Sequence, residues 1–182
     1  MAAAPPPLLI YGLQLNFGVR HTTTHKRRRR LDPLDQLDGH RYLYLTGISE
    51  PEDNALRLRI EEGRVPEVEE GSDGMIGRPI VADARSAAYQ VLFPDYVAYA
   101  VVNESFDRPS ESDEAFTGRL VRRYTRSRFL DFIAAGTSAS ASYPGRFTHY
   151  EFCCLNHLVS VAAVSPPQVT RLKPSSGGAR GA

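Results

Sequence analysis

Arg41-Tyr42-Leu43-Tyr44-Leu45-Thr46-Gly47-Ile48 and Ala55-Leu56-Arg57-Leu58-Arg59-Ile60 carry the pattern on which the fold turns. In the first stretch Tyr42 and Tyr44 alternate with Leu43 and Leu45; in the second Leu56, Leu58 and Ile60 alternate with Arg57 and Arg59. Successive side chains of a strand point to opposite faces, so this period of two marks two β-strands. Ser49-Glu50-Pro51-Glu52-Asp53-Asn54 between them has the composition of a connecting loop.

The same reading extends outward. Tyr89, Val91 and Phe93 run to a turn at Pro94 and Asp95, and Tyr96 to Phe106 follows. In that segment Val97, Tyr99 and Val101 oppose Tyr96, Ala98, Ala100 and Val102, so both sides are apolar, which predicts a strand covered on both faces at the centre of its sheet. Arg119 to Thr125 reads as a strand feeding a helix. Thr125 or Ser127 supplies the N-cap, Phe129, Leu130, Phe132 and Ile133 form an apolar stripe, and Gly136 closes it. Phe147 to Leu155 and Leu158 to Val164 are strands meeting antiparallel near Asn156, and Pro166 and Pro167 end the pairing. The expected class is α+β: a mainly antiparallel sheet of about six strands, with one short helix, Ser127 to Ala135, packed on a face.

With 182 residues and 42% hydrophobic content, the chain is sized for one domain that does without disulfides or a structural metal. That domain is expected over residues 8–172, between disordered tails at 1–7 and 173–182, which are rich in Pro, Gly, Ser and Ala. Residues 20–39 form a polar loop bearing the basic run Lys26, Arg27, Arg28, Arg29 and Arg30; within it Asp32 and Pro33, with Leu34 and Leu37 behind them, open a helical turn that Gly39 ends. Arg64 to Gly77 is an acidic, Gly-rich connector.

No basic residue precedes the first apolar stretch, and Pro5, Pro6 and Pro7 occupy the place of a signal helix. The longest unbroken apolar stretches are far below the ~18 residues of a membrane span. Cys153 and Cys154 are adjacent, too close for an ordinary disulfide, and are read as reduced thiols. These features predict a soluble, cytoplasmic protein without membrane contact, in a layout that suits a bacterial accessory protein.

The net charge of +1 conceals segmentation: Met1 to Glu50 carries +3, Pro51 to Phe116 carries −9, and Thr117 to Ala182 carries +7. The acidic segment and basic ends either neutralise one another in the fold or leave a dipolar surface. Arg119, Arg122, Arg123, Arg126 and Arg128, with Tyr124 among them, gather at the strand-to-helix corner. Together with the arm Lys26 to Arg30 they provide guanidinium groups for phosphates and an aromatic face for a base. Glu67, Glu69 and Glu70 are the acidic counterpart for a protein partner. Asn103, Glu104, Arg119, Tyr124, His149, Asn156 and His157 are candidates for a polar cleft at one end of the sheet.

Catalytic constellations are missing. His149, Glu151, Cys153 and His157 are metal-binding residue types, but on an extended strand His149 and Cys153 stand about 13 Å apart. His21 and His25 have i, i+4 spacing without an HExxH glutamate. Gly71, Gly74 and Gly77 match no phosphate-binding motif, and no GxSxG elbow is present. No metal and no cofactor are therefore expected. The leading expectation is a non-catalytic protein-binding module of immunity or adaptor type, of open oligomeric state. The alternatives are a nucleic-acid-binding protein using the basic arm and corner, and a small enzyme with a His/Cys/Glu site.

Overall fold

The structure, a computed structural model, describes residues 32–66, 78–107 and 113–173. The first element is the helix α1 (Pro33–Asp38), opened as expected by Asp32, whose carboxylate accepts the Leu34 N–H, with Pro33 in the first turn. Its Leu34 and Leu37 are buried in the main core.

Among the described residues nine strands follow, in two antiparallel sheets. The first sheet takes β1 (Tyr42–Ser49), β2 (Leu56–Gly63), β3 (Ala88–Phe93) and β9 (Gln168–Arg171), in that order across the sheet. The second takes β4 (Tyr96–Asn103), β5 (Ala115–Thr117), β6 (Val121–Arg126), β7 (Thr148–Cys153) and β8 (His157–Ala163), in the order β4-β8-β7-β6-β5. A helix α2 (Arg128–Gly136) lies between β6 and β7 in the chain, and a 3-10 turn, Glu104–Phe106, follows β4. The α+β, mainly antiparallel class holds, with nine strands in place of about six and two α-helices in place of one.

The alternation in β1 and β2 works as its sequence implies. Leu43, Leu45, Leu56, Leu58 and Ile60 are buried, while Arg57 and Arg59 take the outer face. Against them the second sheet sets Val121, Tyr150, Phe152, Val159 and Val161. Phe93 joins the two layers, with its ring 5.7 Å from Tyr150 and 6.1 Å from Phe152.

The expected turn at Pro94 and Asp95 is present, and it passes the chain from β3 in one sheet to β4 in the other. One expectation fails: among the described residues β4 is not central but pairs with β8 alone, at the edge of its sheet. Tyr99 and Val101 stand opposite Val161 and Val159 on the core face, yet remain 38% and 41% exposed, and Val102 on the other face is 43% exposed. Two short strands escape the sequence pattern altogether. β5 has three residues, too few to show a period, and β9, beyond the prolines at 166 and 167 by which the β7–β8 pairing has ended as expected, pairs with β3 of the other sheet.

Candidate functional site

The arginines of the basic corner are built into the fold. The two faces of β6 divide them. Arg123, on the same face as Val121, reaches across to α1 and pairs with Asp32 at 3.0 Å and Asp35 at 3.8 Å. Arg122, on the opposite face, donates to Glu151 of β7 at 2.9 Å and lies over the Phe116 ring at 4.7 Å. Tyr124 donates its hydroxyl to the same Glu151 oxygen at 2.8 Å. Burial alone would lower the affinity of the Arg122 guanidinium for its proton, but Tyr124, Cys153 and Glu151 around it raise its pKa. Arg119 donates to the carbonyls of Asp38 and His40, and Arg126 to that of Asp113. The backbone N–H of Arg128 donates to Glu114.

Asp38 is a structural anchor that sequence reasoning missed. One of its carboxylate oxygens accepts three consecutive backbone N–H groups, Arg119 at 2.7 Å, Leu120 at 2.6 Å and Val121 at 2.9 Å. Burial acts to raise its pKa, but the hydrogen bonds from Val121, Arg119 and Leu120 outweigh burial and hold the carboxyl below the usual range. The turn that aims these amides needs Gly118, at φ +91, where an added Cβ would sit 2.1 Å from the Val121 carbonyl oxygen.

His149 lies beneath α2, 2% exposed. The Tyr124 ring stacks on it at 4.4 Å and Phe129 closes over it at 5.0 Å. Ser127, the N-cap of α2, accepts the Leu130 N–H at 3.2 Å and is 2.8 Å from His149 Nδ1. The hydroxyl and Nδ1 share one hydrogen, and Nε2 is buried with no described partner. Burial pushes its pKa down to about 4. A Ser–His contact of this length resembles part of a nucleophile pair, but Ser127 is 1% exposed and already caps a helix, so its oxygen has no approach for a substrate.

The thiols are equally withdrawn. Burial pushes Cys153 up to about 12, with Glu151 beside it adding to the shift and Arg122 opposing it, and Cys154 also goes to about 12 by burial. His149 and Cys153 flank Glu151 on one face of β7 and are not brought together. Among the described residues no group of three or more His, Cys, Asp and Glu is placed to hold a metal ion.

The polar cleft does not assemble. Asn103 and His157 are direct partners at one end of the β4–β8 pair, and Asn103 caps the 3-10 turn that begins at Glu104. Arg119 lies at the same end of the sheet, but two intervening strands put roughly 14 Å between its strand and β4. His149 and Tyr124 pair with one another four residues further along, under α2. Asn156 belongs to the other sheet's edge, where its side chain accepts from Leu45 N–H at 3.0 Å and donates to the Leu45 carbonyl at 2.9 Å. Glu67, Glu69, Glu70 and the Lys26 to Arg30 arm lie outside the described residues, as do residues 1–7 and 174–182 of the expected tails.

Two sheets of this kind have four edges, and three are closed. β1 is bulged between Leu45 and Gly47, and the β7–β8 turn covers its edge through Asn156 and through Leu155 N–H on the Leu43 carbonyl at 2.8 Å. β5 and β9 have only three and four residues. β4 has eight, Tyr-Val-Ala-Tyr-Ala-Val-Val-Asn, with no charge, no proline and a bulge only at its start, between Tyr96 and Ala98. Bulges, charges, brevity and covering loops are how sheet edges are protected, and among the described residues β4 from Ala98 onward has none of them. Sequence could have nominated it by its missing charges; its position as an edge needed the topology.

No protein-family model, no curated protein and no solved structure matches this chain. Among the described residues no helix is long and apolar enough to cross a membrane.

Proposed function

We propose that this chain is a non-catalytic protein-binding module that takes an uncharged, extended segment of its partner onto the edge of β4. The observation that carries the reading is the eight-residue uncharged edge strand with Tyr99, Val101 and Val102 exposed along it. Strand addition satisfies the edge N–H and C=O groups with those of the incoming segment, and alternate side chains set the preference. An edge with no charge of its own selects a segment that likewise has none, since an unpaired charge laid on it would lose solvent without gaining a partner. β-branched residues suit both sides of such a segment, matching Val101 on one face and Val102 on the other. The arginine corner supports the nucleic-acid alternative less well, because Arg119, Arg122, Arg123 and Arg126 are engaged with carboxylates and carbonyls of the same chain.

Backbone hydrogen exchange of the full chain, with and without a capped peptide of alternating Thr and Val about eight residues long, tests this. The peptide should slow exchange at alternate β4 amides, those facing away from β8. Val101→Lys and Val102→Lys, each at an exposed position, should each weaken binding at least tenfold. Unchanged exchange at those amides would overturn the proposal. So would sedimentation showing that the chain alone is a dimer which both lysine variants dissociate, because the edge would then be occupied by a second copy.

A further inference from the structure

The outer face of the first sheet carries a groove of about 330 Å³ that none of the foregoing uses. Register explains its form. On this face Ser49, Arg57 and Leu92 make one row across β1, β2 and β3, and Gly47, Arg59 and Gln90 make the next. Gly47, just past the bulge of β1, has no side chain to place over its neighbour, so the rows leave a hollow, walled by Leu172.

The two arginines are in different states. Arg59 Nε is held by Glu61 at 2.9 Å, and the same Glu61 oxygen accepts the Thr46 hydroxyl at 3.2 Å. That pair is electrically closed. Arg57 is half-buried, has no hydrogen bond or ion pair to any described residue, and its Nε is fully buried without an acceptor. A guanidinium is a planar fork of donors; the Nε–H of Arg57 has no exposed surface, so an acceptor from outside would be received by the terminal nitrogens, which have no described partner.

We infer that this groove is a binding site for a small monocarboxylate with an apolar body, its carboxylate received by the Arg57 fork. The charge balance selects the ligand: with Arg59 neutralised by Glu61, the groove offers one uncompensated positive charge, which suits a carboxylate and leaves one charge of a phosphate dianion unmatched. Ser49 and Gln90 line the same hollow with polar groups, while Leu172 gives it an apolar wall. Its volume falls at the lower end of small-molecule sites, about 300 to 1,000 Å³. The inference is independent of the β4 edge, which belongs to the other sheet.

The test follows the Arg57 Nε–H resonance of the full chain by NMR during titration with sodium benzoate, sodium acetate, inorganic phosphate and sodium chloride at constant ionic strength. Benzoate should give a saturable shift at Arg57 Nε–H and bind several-fold more tightly than acetate, with phosphate weaker than both. Arg57→Lys, which keeps the charge and removes the fork, should weaken benzoate at least tenfold. A shift with benzoate no larger than with chloride would overturn the assignment, as would tighter binding of phosphate or undiminished binding by the lysine variant. The first two outcomes are read on the native protein and do not depend on how the variant folds.

Discussion

Acid should weaken this fold through a buried imidazole. His149 is held neutral, its Nδ1 paired with Ser127 and its ring enclosed by Tyr124 and Phe129, with its pKa pushed down to about 4 by burial. In the unfolded chain the same group titrates near its ordinary value, 6.5. Between these values the unfolded state binds a proton that the folded state refuses, so stability is complete above about pH 6.5, falls as the pH drops toward 4, and loses nothing further from this group below that. The difference of about 2.5 units corresponds to roughly 3 kcal/mol, at up to about 1.4 kcal/mol per pH unit. For a domain whose total stability is on the order of 5 to 15 kcal/mol, that is a large share. The perturbation is His149→Phe, which keeps a ring between Tyr124 and Phe129 and cannot titrate. The variant should be less stable at neutral pH by about 1 to 3 kcal/mol, because Ser127 loses its buried partner. The decisive quantity is the slope. Urea unfolding followed by far-ultraviolet circular dichroism, since the chain has no Trp, measures stability from pH 8 to 4 for both proteins. The difference between the two curves cancels every carboxylate common to both and should change by roughly 3 kcal/mol over that range, so that the wild-type advantage vanishes or reverses by pH 4. A difference independent of pH would refute the buried neutral imidazole.

Three further outcomes follow from the same packing. Asp38→Asn should cost about 2 kcal/mol, because an amide oxygen replaces a carboxylate that accepts three backbone N–H groups, and part of the wild-type advantage, present above pH 3.8, should fade as acid protonates Asp38 through its lowered pKa; urea titrations at pH 7 and pH 3 measure both. Gly118→Ala should lower stability by about 2 kcal/mol or more in thermal unfolding, since a Cβ at φ +91 meets the Val121 carbonyl, and a loss under about 0.5 kcal/mol would refute the turn geometry. Cys153 and Cys154 should react with a thiol reagent at pH 8 at least about a hundredfold more slowly in the native protein than in denaturant, because both thiols are held protonated by burial.

What could be read from the sequence was whatever a local period or a cap encodes. Leu43, Leu45, Leu56, Leu58 and Ile60 announced their burial by alternation, and Asp32 with Pro33 and Ser127 announced the starts of the two helices. The order of strands was not legible, because apolar content measures how much a strand can bury and not how many neighbours it has. β4 is the clearest case: alternate apolar sets that would suit a strand enclosed in a sheet serve here as an exposed edge. The apolar stripe of α2 misled in the same direction, for Ile133 is buried while Phe132 is 65% exposed.

The arginines show why residue type is a weak guide to a site when partners are unseen. Five of them crowd a ten-residue stretch from Arg119 to Arg128 and dominate any reading by composition. The fold engages Arg122 and Arg123 with Glu151, Asp32 and Asp35, and Arg119 with the end of α1, so these three arginines serve to fix β6 to its surroundings. Arg57 sits in an unremarkable leucine–arginine alternation and drew no notice, yet it is the one held half-buried without a described partner. Charge density along the chain therefore ranks the two locations in the reverse of the order set by whether a guanidinium has any described partner. For a binding site the second measure is the relevant one, because an incoming anion must replace what each guanidinium already holds: at Arg122 that is a 2.9 Å bond to Glu151, and at Arg57 it is nothing described.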